Sequence, residues 1–198
     1  MFGSDLLNYR IRCLYAAIDA VVQTDLSQFK PKFIVSSKGF GIYQDFRGDM
    51  SDAQMANAAI GVVNAIAALR DNLTSWARKH NRPVTLVDQK FRNSPALKVV
   101  MDLCNLWKHG ELTRSWTQRY PRVQDLGRVL RCTAQPGVSA GFALGLGGVR
   151  RDFGSNEVVI TGTVIDSVGN VMGDLYDFEL EAVRHWENLL VQFGLPIK

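Results

Sequence analysis

SDAQMANAAIGVVNAIAALRDNLTSWARKHNRP, residues 51–83, decides how this chain folds. Ser51 and Gln54 stand three apart ahead of an apolar run. That is the spacing of a capping box, in which a serine hydroxyl takes the third amide and the glutamine reaches back. Behind it Met55, Ala59, Val62, Ile66, Leu69, Leu73 and Trp76 recur at alternating steps of four and three. The pattern predicts a helix over 52–80, about 43 Å long at 1.5 Å per residue. Arg82-Pro83 ends it, and the preceding Arg78-Lys79-His80 puts cations where the helix dipole favours them. The stripe is a narrow heptad seam, which predicts shallow-angle packing in a bundle or a homodimer through helix 52–80.

Working outward, Leu7, Ile11, Leu14, Ile18 and Val21 form an apolar stripe, predicting a first helix that starts at Ser4 or Asp5. FIV (33–35) and FGIY (40–43) around SSKG predict a short hairpin with Gly39 in the turn. Ser94-Pro95 offers a cap and a proline at the first helical position, opening a helix over 95–109 that Gly110 stops. LTRSWTQRY (112–120) adds a further short helical segment before Pro121. After about residue 125 the period shortens. VLRCT (129–133), VSAGFALGLGG (138–148), EVVITGTVID (157–166) and the stretch beyond the VGN turn (168–170) predict three or four antiparallel strands. A last helix from Phe178 carries Phe178, Ala182, Trp186, Leu189 and Phe193 on one face. The expected fold is α+β: an antiparallel helical bundle of three to five helices packed with a small antiparallel sheet and a C-terminal helix. One domain over 1–198 is expected, its helical part about 1–120 and its sheet with the last helix about 125–198.

Composition narrows the classes. Hydrophobic residues make up 46% and charged residues 21%, which excludes a disordered chain. Without eighteen consecutive apolar residues, and with Asp5 ahead of any apolar run, neither a membrane span nor a signal peptide is expected. Cys13, Cys104 and Cys132 are odd in number and far apart, with no CxxC, which points to a reducing, cytoplasmic setting and away from zinc. The net charge of +4 permits an anionic partner without requiring one.

The chemistry-bearing stretch is LCNLWKHGE, residues 103–111. On a helical wheel, Lys98, Met101, Asp102, Lys108 and His109 fall within roughly 60° of Asn105. Asp102, Asn105 and His109, one turn apart, are placed for a hydrogen-bonded row in which Asn105 orients the imidazole for proton transfer. The solvated face of an ordinary amphipathic helix has the same pattern. Beyond it Arg114, Arg119, Arg122 and Arg128 interleave with Trp116 and Tyr120, a mixture suited to phosphate contacts and base stacking. The alternative there is a solvated connection with anchored aromatics. GFALGLGGVR (141–150) lacks the GK[ST] of a phosphate loop, so its glycines read as strand kinks. No metal-ligand spacing, cofactor motif or nucleophile elbow is present, so no metal and no cofactor are expected.

CNLWKHG resembles the HEPN motif, an Arg followed at once by a polar residue and, four to six places on, by a His. Asn105 and His109 match the polar and His positions, and Cys104 stands where the Arg would be. The layout is also similar to uncharacterised bacterial proteins with a helix like ALRDNL (68–73), then N-x-x-K-H, a small sheet, and a helix like AVRHWENLL (182–190). The resemblance implies a helical, often dimeric protein that cleaves RNA without metal in bacterial or phage defence or a toxin-like role. It implies His109 in proton transfer beside Asn105, with Lys108 or Arg70 replacing the missing Arg. Arg114, Arg119, Arg122 and Trp116 are then the expected RNA contacts. The competing expectation is a non-catalytic scaffold, dimeric through 52–80.

Overall fold

A computed structural model of the chain describes the backbone of residues 3–30, 32–36, 39–133, 141–145, 148–153 and 155–196, and the side chains of 6–30, 32, 44–131 and 157–196. Helix α2 (Asp52–Lys79) is the centre of the helical layer. Its capping box forms as its residues require: the Gln54 amide donates to Ser51 Oγ at 3.3 Å, and the Ser51 amide to Gln54 Oε1 at 2.8 Å. Helix α1 (Gly3–Val21) starts just ahead of the expected Ser4 or Asp5 and buries Leu7, Ile11, Leu14 and Val21.

Helix α3 (Val84–Asn93) was not expected. It has no side-chain cap, and only Val87 and Phe91 are buried within ten residues, so its periodicity is short. Ser94 both ends α3 and caps α4 (Pro95–His109), its buried hydroxyl accepting from the Leu97 amide at 3.2 Å. Gly110 closes α4 in the left-handed conformation, φ 77°. The segment 112–120 is not helical, which corrects the expectation above; Gln118 and Tyr120 take positive φ there.

In the β region, β4 (Arg122–Thr133) runs antiparallel to β7 (Ser155–Ile165), from Arg122↔Ile165 to Thr133↔Ser155. The other edge of β7 is shared by β1 (Val22–Gln23) and β8 (Val171–Asp174). Hairpins β2 (Lys32–Ser36) with β3 (Gly39–Tyr43), and β5 (Gly141–Gly145) with β6 (Gly148–Phe153), form two separate two-stranded sheets. Gly39, expected in the turn, instead opens β3 opposite Ser36, and residues 37–38 of SSKG with 138–140 and 146–147 of the glycine-rich stretch lie outside the described residues. A bulge in β4 between Gln124 and Gly127 leans on Gly162, where a Cβ would sit 2.7 Å from the Gln124 carbonyl, so only glycine fits.

Helix α5 (Leu175–Phe193) starts three residues before Phe178, because Asp174 Oδ1 accepts from the amides of Tyr176 and Asp177. Its Trp186 is buried and donates from Nε1 to the Ile66 carbonyl of α2 at 3.1 Å. Ile160 and Val164 of β7 join the residues of α1–α5 in one core. The architecture is α+β. Met55, Ala59, Val62, Ile66, Leu69, Leu73 and Trp76, the seam expected to form a homodimer, are all buried within the single chain. That face therefore serves the chain's own bundle.

Candidate functional site

The C-terminal end of α4 and the segment that follows it enclose a cleft of about 770 Å³. Asn105 and His109 line it from the helix, and Glu111, Leu112, Thr113, Arg114, Ser115 and Trp116 from the segment. Asn105, His109, Arg114 and Trp116, expected on separate grounds, thus come together. Lys108 is exposed and outside the lining. Arg122, exposed at the start of β4, lies outside it too.

Asp102 is the residue that builds this cleft. It was expected on the wet face beside Asn105 and His109, yet it is 0% exposed. Its Oδ2 accepts from Ser115 Oγ at 2.6 Å, from the Thr117 amide at 3.0 Å and from Thr117 Oγ1 at 2.8 Å. Its Oδ1 accepts from the Trp116 amide at 2.7 Å. A buried carboxylate needs such donors, and four of them converge here. The expected Asp102–Asn105–His109 row does not form: Asp102 turns inward, and among the described residues no hydrogen bond joins Asn105 to His109.

A second carboxylate holds the same segment from the sheet side. Arg119 Nη2 donates to Asp166 Oδ2 at 2.9 Å, and the Ser167 amide donates to the Arg119 carbonyl at 2.9 Å. Asp166 also accepts from the Val168 and Asn170 amides and from Asn170 Nδ2. The Arg119 hydrogen bond, helped by those from Asn170 and Val168 against the effect of burial, pulls the Asp166 carboxyl from 3.8 down to about 2. A carboxyl lowered on folding contributes stability above its unfolded value, and that stability is lost as pH falls from about 4 towards 2. Thermal melts across this window are expected to fall more steeply for wild type than for Asp166→Asn. Equal slopes would contradict the clamp.

Three other cations, Arg70, Arg128 and Arg131, are held within the fold. Arg70 pairs with Asp88 at 3.2 Å and stacks 4.0 Å from the Phe91 ring centroid and 5.1 Å from that of Trp116. It lies over the Trp116 ring and is not among the residues lining the cleft, so it is not placed to replace a catalytic Arg beside His109. Arg128 stacks on Phe29, and Arg131 binds Asp174 and Asp177. Among the described residues the side chains of Lys98, Lys108, Arg114 and Arg122 have no hydrogen-bond or ion-pair partner.

Cys104, at the position of the motif's Arg, is 1% exposed and donates its thiol to Asn64 Oδ1 at 3.2 Å. That thiol faces α2 and is not among the residues lining the cleft. Among the described residues no cluster of three or more His, Cys, Asp or Glu is arranged to hold a metal ion, and no helix is long and apolar enough to cross a membrane. Asp102 was named but placed on the wrong face, and Asp166 escaped the sequence reading, because Ser115, Thr117 and Arg119 lie 13, 15 and 47 residues from them along the chain. The Ser115-x-Thr117 spacing, two hydroxyls able to grip one carboxylate, was the available signal. No protein-family model, curated protein or solved structure matches the chain.

Proposed function

We propose that the protein binds RNA, receiving the sugar–phosphate backbone in the cleft between the end of α4 and the 111–116 segment. One observation carries this reading: Asn105, His109, Arg114 and Trp116 line one cleft although two come from a helix and two from the segment after it. Arg114, with no partner among the described residues, offers a fork suited to a phosphate. Asn105 and the His109 imidazole offer hydrogen-bonding groups to a 2′-hydroxyl, the feature that separates RNA from DNA. Lys108 adds positive charge nearby, and the Glu111 carboxylate in the lining opposes it. Few cations act, so the affinity is modest and salt-sensitive. The resemblance to HEPN proteins supports the same partner and a role in bacterial or phage defence. The scaffold reading loses ground because the seam it relied on is buried within the chain.

The test is fluorescence anisotropy with a labelled RNA oligonucleotide over a salt series. Arg114→Ala is expected to weaken binding roughly 5- to 10-fold and to lower the salt slope by about one. Lys79→Ala, at the far end of α2, should change neither. No binding by wild type at low salt, or an Arg114→Ala isotherm that overlays wild type, contradicts the reading.

Metal-independent cleavage is a second reading, favoured by His109 and Arg114 sharing the cleft. Arg114 would then stabilise the phosphorane in place of the Arg that Cys104 supplants, while His109 takes the 2′-hydroxyl proton as O2′ bonds to phosphorus, and the P–O5′ bond breaks with the 5′-oxygen taking a proton from water. Binding without turnover is preferred because no hydrogen bond among the described residues orients the His109 ring. With EDTA present the RNA is expected to stay intact. Cyclic-phosphate ends that vanish in His109→Ala would establish cleavage instead.

A further inference from the structure

A second cleft, of about 320 Å³, adjoins the first, and Trp116 lines both. Val99, Met172 and Phe178 give this second cleft apolar surface, and Lys98 and Arg119 give it charge. Trp116 is 46% exposed, far more than Trp76 or Trp186. Its position is nevertheless fixed. Its amide is held by Asp102, its ring meets Phe91 edge-on at 5.0 Å, and the Arg70 guanidinium lies 5.1 Å from its centroid. A large aromatic held half in water, with cations in the clefts on both sides, is arranged as a stacking platform.

We infer that the ligand is single-stranded RNA, with one base stacked on Trp116, its backbone passing Arg114 on one side and Lys98 and Arg119 on the other. This rests on the proposed RNA reading and adds the strand state and the path. A duplex keeps its base faces inside the stack and offers only phosphates and 2′-hydroxyls, so it cannot use the Trp116 ring. A single strand presents a free base face between consecutive phosphates, matching the order cation, ring, cation. The apolar wall of the second cleft suits the next base or its ribose. Arg119 keeps its bond to Asp166 with its side chain 47% exposed, so the same guanidinium both ties the segment down and faces the strand.

The experiment compares a single-stranded RNA octamer with a duplex of the same sequence, at low salt with EDTA, by anisotropy and by tryptophan emission. The octamer is expected to quench emission, and that quenching is expected to be missing in Trp116→Phe, whose affinity stays within about threefold of wild type. Trp116→Ala is expected to lose roughly 10-fold or more, the scale of one base stacked on an aromatic side chain. Lys98→Ala should weaken the octamer a few-fold and leave a dinucleotide unaffected. The duplex should bind roughly 10-fold more weakly and quench nothing. If Trp116→Ala does not fold, Trp116→Phe and Lys98→Ala still decide. Equal affinity for octamer and duplex, or quenching that persists in Trp116→Phe, overturns the stacking path, while a weakened Arg114→Ala would leave the first cleft's role standing. Failure of wild type to bind either RNA overturns both.

Discussion

Asp102→Ala is expected to lower the unfolding free energy by about 3–6 kcal/mol and to abolish the proposed RNA binding at the cleft. The magnitude follows from hydrogen bonds to a charged group, worth about 1.5–3 kcal/mol each, with roughly two uncompensated once the freed donors find water. Four donors converge on this carboxylate: the Ser115 and Thr117 hydroxyls and the Trp116 and Thr117 amides. Without it the 112–117 segment keeps only the Arg119–Asp166 clamp and the contacts of the Trp116 ring with Phe91 and Arg70, so Arg114 and the Trp116 backbone lose their hold on α4. Asp102→Asn should fall between wild type and alanine. It retains one acceptor oxygen but turns an amide towards donors it cannot satisfy. Denaturant titration with an RNA-binding assay on the surviving folded protein checks both effects. An alanine variant of near-wild-type stability would mean that the segment is held mainly by Arg119 and Asp166.

Trp186→Ala is the second large effect, expected to cost about 3–5 kcal/mol, the range for removing a buried aromatic. Trp186 is 1% exposed and docks α5 on α2 through its ring and its bond to the Ile66 carbonyl. Trp186→Phe keeps most of the apolar contact and drops the hydrogen bond, so a loss of about 1–2 kcal/mol is expected. The loss reaches the site as well, because α5 also packs against α4, which carries Asn105 and His109. Calorimetric melts of both variants separate the packing contribution from the hydrogen bond. A cost below about 1 kcal/mol for alanine would show that Leu189, Leu190 and Phe193 dock the helix without it.

Where sequence reading succeeded, local chemistry and the core demanded the same thing. The Ser51–Gln54 capping box, the Ser94-Pro95 start and the Gly110 stop are all found, because capping is decided within four residues. Helix α3 was missed because a charged ten-residue stretch with Val87 and Phe91 as its buried contacts owes its shape to packing rather than to period. The 112–120 segment was misread for a related reason. Its hydroxyls and amides are claimed by Asp102, a partner 13 to 15 residues earlier, and this competes successfully with helix formation.

The same effect divided the candidate site. Asn105, His109, Arg114 and Trp116 were legible as residue types that suit RNA, and they share a cleft. Arg70 was drawn away by Asp88 and two rings, and Asp102 by its four donors. A helical wheel ranks faces by angle and cannot see which polar residue has a buried partner waiting across the fold.

The measurement that bears most directly on the central claim is a titration of the ¹⁵N-labelled protein with a single-stranded RNA octamer, followed by amide and imidazole chemical shifts in EDTA at low salt. Shifts are expected to concentrate at Asn105, His109 and the amides of 111–117, including the Trp116 indole, and to reverse as salt is raised. Shifts confined to other surfaces, or none at RNA concentrations well above the protein, would contradict it.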